Sequence, residues 1–129
     1  MTEVKLKSTK PIFDYLKSLD DYIIVAEEDN TLILERNELE GVHICVVDQG
    51  VEIYVQVNLC KIEKVENKLS DLLNLNTEIL PAAFGIDKDT DSVVLVGSIF
   101  AESLDENELV GLLMSICNGI DVFMERVLE

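Results

Sequence analysis

The chain has one histidine, His43, and three cysteines, Cys45, Cys60 and Cys117. A zinc centre needs about four ligands of these kinds at set spacings, and the sequence does not supply them. An odd number of irregularly spaced cysteines is also no disulfide framework. Cys45 falls in a strand-like run and Cys117 on the apolar side of a helix, so both read as small buried hydrophobes. Long apolar runs are missing as well. Residues 93–97 are representative, far short of the ~20 residues of a membrane-spanning helix. The opening MTEVKLKSTK has no apolar stretch of the secretory kind, so the expected location is the cytoplasm.

Catalytic signatures are equally scarce. No GxGxxG, Walker loop, GxSxG or HExxH occurs, so neither a cofactor nor an enzymatic activity is expected. Asp87-x-Asp89-x-Asp91 opens like a calcium loop. However, Ser92 stands where position six requires glycine, and Ser98 where position twelve requires glutamate, so the segment reads as an acidic turn. His43 and Cys45 share a strand face, yet extended backbone holds them apart and no orienting acid is evident. Acidic pairs such as Asp20/Asp21 and Glu27/Glu28 mark no acid–base site, because the whole chain is acidic.

What is present is negative charge and apolar patterning. The 129 residues suit one domain spanning 1–129. The net charge is −16. Residues 1–17 hold four lysines against Glu3 and Asp14, so residues 18–129 are more acidic still. Such a surface repels nucleic acid and anionic lipid; it either keeps the domain soluble or steers a basic partner.

Pro11 suits the first turn of a helix, and Ile12, Tyr15, Leu16 and Leu19 follow at helical spacing over about 10–20. Residues 22–26 and 31–35 are β-rich and are split by a Glu-Glu-Asp-Asn loop; 42–47 is another strand. Asp48-Gln49-Gly50 is a turn in which glycine supplies a positive φ. Val51, Ile53, Val55 and Val57 then alternate with Glu52, Tyr54, Gln56 and Asn58, as in a strand with one buried and one wet face. Val65, Leu69, Leu72 and Leu73 return to helical spacing over about 63–75. Pro81 breaks the chain, and 82–86 and 92–102 read as two strands.

Ser103-Leu104-Asp105-Glu106 has the pattern of a capping box, with Ser103 as N-cap. The acids Asp105, Glu106 and Glu108 suit a helix N-terminus. A helix over about 104–128 follows, apolar at Leu109, Leu112, Leu113, Ile116, Ile120, Phe123, Met124 and Val127. Gly111 and Gly119 lower its propensity but permit close backbone approach. Its apolar arc spans roughly 160°, wider than one packing layer requires. Either the helix is deeply buried in its own monomer, or the excess meets another chain. The class is therefore α+β: helix, antiparallel strands, helix, two strands, long C-terminal helix.

That order, with Leu69, Leu72, Leu73, Asn76, the strand Ala82-Ala83-Phe84-Gly85-Ile86 and the strand Val93-Val94-Leu95-Val96-Gly97, resembles the class I type III secretion chaperones and the YbjN-like proteins. Within that fold, LPAAFGIDKDTDSVVLVGSIFAESL is similar to the YjfI-like bacterial family of unknown function. The resemblance implies helices packed on a twisted antiparallel sheet in a single type III secretion chaperone-like domain, commonly a homodimer. It also implies binding of extended protein segments through apolar sheet surface, without ATP, and carries no catalytic residues. Four strands stand between the first two helices here, where the resemblance implies three.

The leading expectation is thus a non-catalytic protein-binding module, chaperone-like or regulatory, acting as a homodimer. Its partner is a protein, basic or with an extended apolar segment. Leu113, Ile116, Cys117, Ile120 and Phe123 are the candidates for self-association or core. Tyr54, Val55 and Val57 are the candidates for partner binding on the sheet. The alternative is a small-ligand sensor or accessory enzyme subunit, with a pocket between sheet and helices and a polar cluster at His43, Tyr54 and Asn58. Membrane contact through Lys5, Lys7 and Lys10 is opposed by the acidic remainder.

Overall fold

A computed structural model describes residues 9–37, 41–101 and 104–128. The elements run α1 (Thr9–Lys17), β1 (Tyr22–Glu28), β2 (Thr31–Arg36), β3 (His43–Asp48), β4 (Glu52–Lys61), α2 (Leu69–Leu75), β5 (Ala83–Asp87), β6 (Ser92–Phe100) and α3 (Glu106–Arg126). The α+β order expected from the sequence is therefore present, including four strands between the first two helices. All six strands form one antiparallel sheet in the order β1-β2-β3-β4-β6-β5.

Alternation decides what each sheet face carries. Leu32 and Leu34 of β2, Ile44 and Val46 of β3, Ile53, Val55 and Val57 of β4 and Leu95 of β6 line one face, each fully buried. The helices cover that face. α1 contributes Ile12, Phe13 and Leu16; α2 contributes Leu72 and Leu75; α3 lies over β6. Two glycines show how close α3 comes. A Cβ at Gly97 would stand 2.7 Å from a Leu112 methyl, and one at Gly119 would stand 2.7 Å from a Leu95 methyl. Gly111 has open space instead, so the expectation of close approach holds for only one of the two helix glycines.

The turn at Gly50 is as expected, with φ +86 and its N–H donated to Asp48 Oδ1 at 2.8 Å. Two helix starts differ from the expectation. The second helix begins as two 3₁₀ turns, Ile62–Lys64 and Glu66–Lys68, and only Leu69–Leu75 is α-helical. α3 is capped by Asp105, whose Oδ1 accepts from the Glu108 N–H at 2.8 Å. Ser103, expected as the cap, and Glu102, expected in β6, lie outside the described residues.

The segment between α2 and β5 is pinned by two polar side chains. Asn76 Oδ1 accepts from the Phe84 N–H at 2.6 Å, and Asn76 Nδ2 donates to the Phe84 carbonyl at 3.4 Å. Ser115 of α3 donates to the Ile79 carbonyl at 2.6 Å and accepts from the Ala82 N–H at 3.1 Å. By length and composition α3 resembles a membrane span, yet Leu109, Leu112, Leu113, Ile116, Ile120 and Phe123 are packed into this core.

Candidate functional site

The broad arc of α3 is covered. Leu113, Ile116, Ile120 and Phe123 are at most 1% exposed, and Phe123 meets Phe84 with ring centroids 5.9 Å apart. Only Cys117 is half-buried, with its Sγ 3.4 Å from the Tyr22 hydroxyl. Of the two roles weighed for these residues, self-association or core, their burial fits the core: four lie in it and Cys117 packs against it, with α3 lying over β6. The partner-binding set also needs correction. Val55 and Val57 point into the core and are 0% exposed, whereas Tyr54 points to the opposite face. Successive residues of a strand cannot serve one surface.

Among the described residues, no helix lies over the face that carries Tyr54. Its central rows are Ile33–Cys45–Gln56–Val96–Ala83 and Thr31–Val47–Tyr54–Ser98. The Tyr54 hydroxyl donates to Gln56 Oε1 at 2.8 Å, and Gln56 Nε2 donates to Asn58 Oδ1 at 2.9 Å. His43 Nε2 stands 3.2 Å from Glu35 Oε2 on the neighbouring strand. His43, Tyr54 and Asn58 therefore come together, and with Cys45, Val47 and Gln56 they line a cleft of 400 Å³. Glu35 is the orienting acid that sequence reasoning missed; only the β2–β3 register brings it to His43. Burial raises the Cys45 thiol above its ordinary range, which disfavours the reactive thiolate. Desolvation, then Asp87 and Glu52, likewise raises the Tyr54 phenol, so it remains a neutral donor.

The sheet edge at β1 carries three consecutive exposed apolar residues. Ile23, Ile24 and Val25 are 52%, 37% and 44% exposed. A bulge between Ile24 and Ala26 breaks the register with β2. Such an edge presents backbone groups on its open side and apolar side chains on both faces, which is what an added strand engages. Carboxylates surround it: Asp20, Asp21, Glu28 and Asp29 are all exposed, and Glu27 is paired with Lys17. Beside it, Asp21, Tyr22, Arg36, Asn37, Met114 and Cys117 line a second concavity, of 350 Å³. Sequence reasoning passed over this edge, since YIIVAEE reads equally well as a buried strand.

A family model, CesT_Tir_1, matches residues 5–129. No curated protein matches. Among solved structures, the chain is similar to one in the ExsC–ExsE complex, at TM-score 0.69 and 16% identity, covering 95% of this chain and 97% of that one. It is also similar to one in the heterodimeric ExoU–SpcU complex from the type III secretion system of Pseudomonas aeruginosa, at 0.64 and 17%, covering 81% and 88%. A third likeness is to an uncharacterized protein from Methanothermobacter thermautotrophicus, at 0.59 and 12%, covering 90% and 93%. At these identities the likeness establishes the fold.

Proposed function

The chain belongs to CesT_Tir_1, a type III secretion chaperone family, and from that premise we propose that it is a non-catalytic module that holds an extended segment of another protein. One observation carries the reading: Ile23, Ile24 and Val25 stand exposed in sequence on a sheet edge. A partner strand laid along β1 gains main-chain hydrogen bonds and covers those side chains. Structural neighbours include an ExoU–SpcU heterodimer and a HopA1–SchA chaperone–effector complex, which supports a protein as the occupant. The net charge of −16 favours a segment with basic residues and speeds its encounter.

The same proposal includes a homodimer, formed by a surface other than the buried arc of α3. Sedimentation velocity tests it, and the mass of one chain would remove that part. The likeness of residues 80–104 to the YjfI-like group also belongs to this reading. For the docking itself, a partner captured from native lysate is identified and its binding segment mapped. That segment should bind the wild-type chain and lose most of its affinity for Ile24→Lys. Equal binding by both would remove β1 as the site.

A second reading is favoured by one finding, the convergence of His43, Tyr54 and Asn58 on a single cleft. It makes the uncovered face a seat for a small polar ligand. A metabolite that raises the melting temperature of the wild type but not of His43→Ala would support it.

A further inference from the structure

Strand β6 outruns its outer neighbour. β5 pairs with it only from Ala83↔Val96 to Asp87↔Ser92, while β4 accompanies it as far as Glu52↔Phe100. Over 97–99, β6 therefore has β4 on one side and no further strand of described residues on the other. A continuation of β5 would lie there, but the chain ahead of β5 is held elsewhere by Asn76 and Ser115. The vacated line is a groove of 460 Å³ walled by Pro81, Ile99, Phe100, Gly111 and Leu112. Its charged lining residues are Glu52 and Glu108, both acidic. Phe100 is 66% exposed at one lip, and a Cβ built on Gly111 would meet nothing within 4 Å.

We propose that this groove is a second docking site for an extended segment of a partner protein, at the opposite edge of the sheet from β1. The segment continues the line of β5 beside β6 and lays a bulky apolar side chain over Gly111. Lysine or arginine residues on either side of that side chain reach the acidic rim formed by Glu52 and Glu108. The walls are apolar and the rim is acidic, so the complementary occupant is an apolar side chain flanked by cations. The acidic residues 18–129 of a second copy are poor occupants of a rim that is itself acidic. The inference rests on the reading that the protein binds extended segments, and adds a site and a side-chain pattern to it.

The test uses the full chain and a fluorescein-labelled peptide, Lys-Val-Lys-Val-Phe-Val-Lys-Val-Lys, followed by anisotropy. Gly111→Leu fills the groove and replaces glycine inside a helix with a better helix former, so its thermal stability should be kept. It should bind the peptide about tenfold more weakly or worse, a loss of one hot-spot contact. Gly111→Ala, adding one carbon, should lose less. Glu52→Gln with Glu108→Gln should weaken binding about threefold and flatten its dependence on salt. Leu73→Ala, at an exposed residue of α2 outside both docking surfaces, should retain wild-type affinity, and Ile24→Lys is measured beside it.

Equal binding by Gly111→Leu and the wild type overturns the proposal. Binding lost only in Ile24→Lys also overturns it, but leaves the protein-binding reading intact at β1. If Gly111→Leu alters the sedimenting mass and not the peptide affinity, the groove belongs to a second copy and the proposal fails. No binding by the wild type ends this proposal, and only an empty partner capture as well would end the wider reading.

Discussion

The last helix and the first strand make opposite use of apolar residues. α3 has the broadest apolar arc in the chain, and nearly all of it is sealed: Leu109, Ile116, Ile120 and Phe123 are 0% exposed. β1 has a short run, Ile23-Ile24-Val25, and shows all of it to solvent. How apolar a segment is therefore does not say whether it is available to a partner. Position in the fold does: α3 crosses β6 inside the sheet, whereas β1 is the terminal strand.

The contrast breaks most visibly if side chains are truncated in both places. Phe123→Ala should cost about 3–5 kcal/mol of stability in urea titration, because it opens a cavity against Phe84. Ile24→Ala should cost about 1 kcal/mol or less, since the side chain is already partly exposed. Comparable losses at the two positions would mean that β1 is covered in solution.

Glycines sharpen the comparison within α3. Gly119→Ala places a carbon 2.7 Å from Leu95, so a net loss of about 1–2 kcal/mol is expected despite better helix propensity. Gly111→Ala meets no neighbour and should gain up to about 1 kcal/mol. Both are read by the same urea midpoints. A stabilised Gly119→Ala would show that α3 sits farther from the sheet. Removing the cap is smaller: Asp105→Ala should cost about 1 kcal/mol, leaving the Glu108 N–H without its side-chain acceptor.

The smallest effect joins the two regions. Tyr22 of β1 lies against Cys117 of α3, and burial first, then the Cys117 contact, raises its phenol above the ordinary value of 10.0. With the folded pKa raised, the unfolded state loses its proton first as pH rises. The stabilisation is therefore complete below about pH 10 and declines above it. Wild-type stability should fall more steeply above that pH than the stability of Tyr22→Phe. Parallel curves would uncouple β1 from α3.

Some of this was readable in residue order. The alternation from Val51 to Asn58 forecasts β4, and it places Ile53, Val55 and Val57 on one face and Tyr54, Gln56 and Asn58 on the other. Spacing from Leu109 to Val127 forecasts α3. The gathering of His43, Tyr54 and Asn58 was also within reach, since all three lie on the same face of adjacent strands β3 and β4. Glu35 beside His43 was not, because strand register is a long-range property. Nor was the exposure of Ile23, Ile24 and Val25, because an edge strand and a central strand can share one local pattern.

Local chemistry in the chain by itself determined the elements, their order, the acidic surface and the lack of a metal or nucleophile motif. These depend on side-chain periodicity, turn residues and charge, which act within a few positions. Pairing across the sheet decided the rest: which apolar surface is sealed under the helices, which edge stays open, and where β5 stops short of the end of β6. Those outcomes are set by contacts between distant residues, and no local pattern contains them.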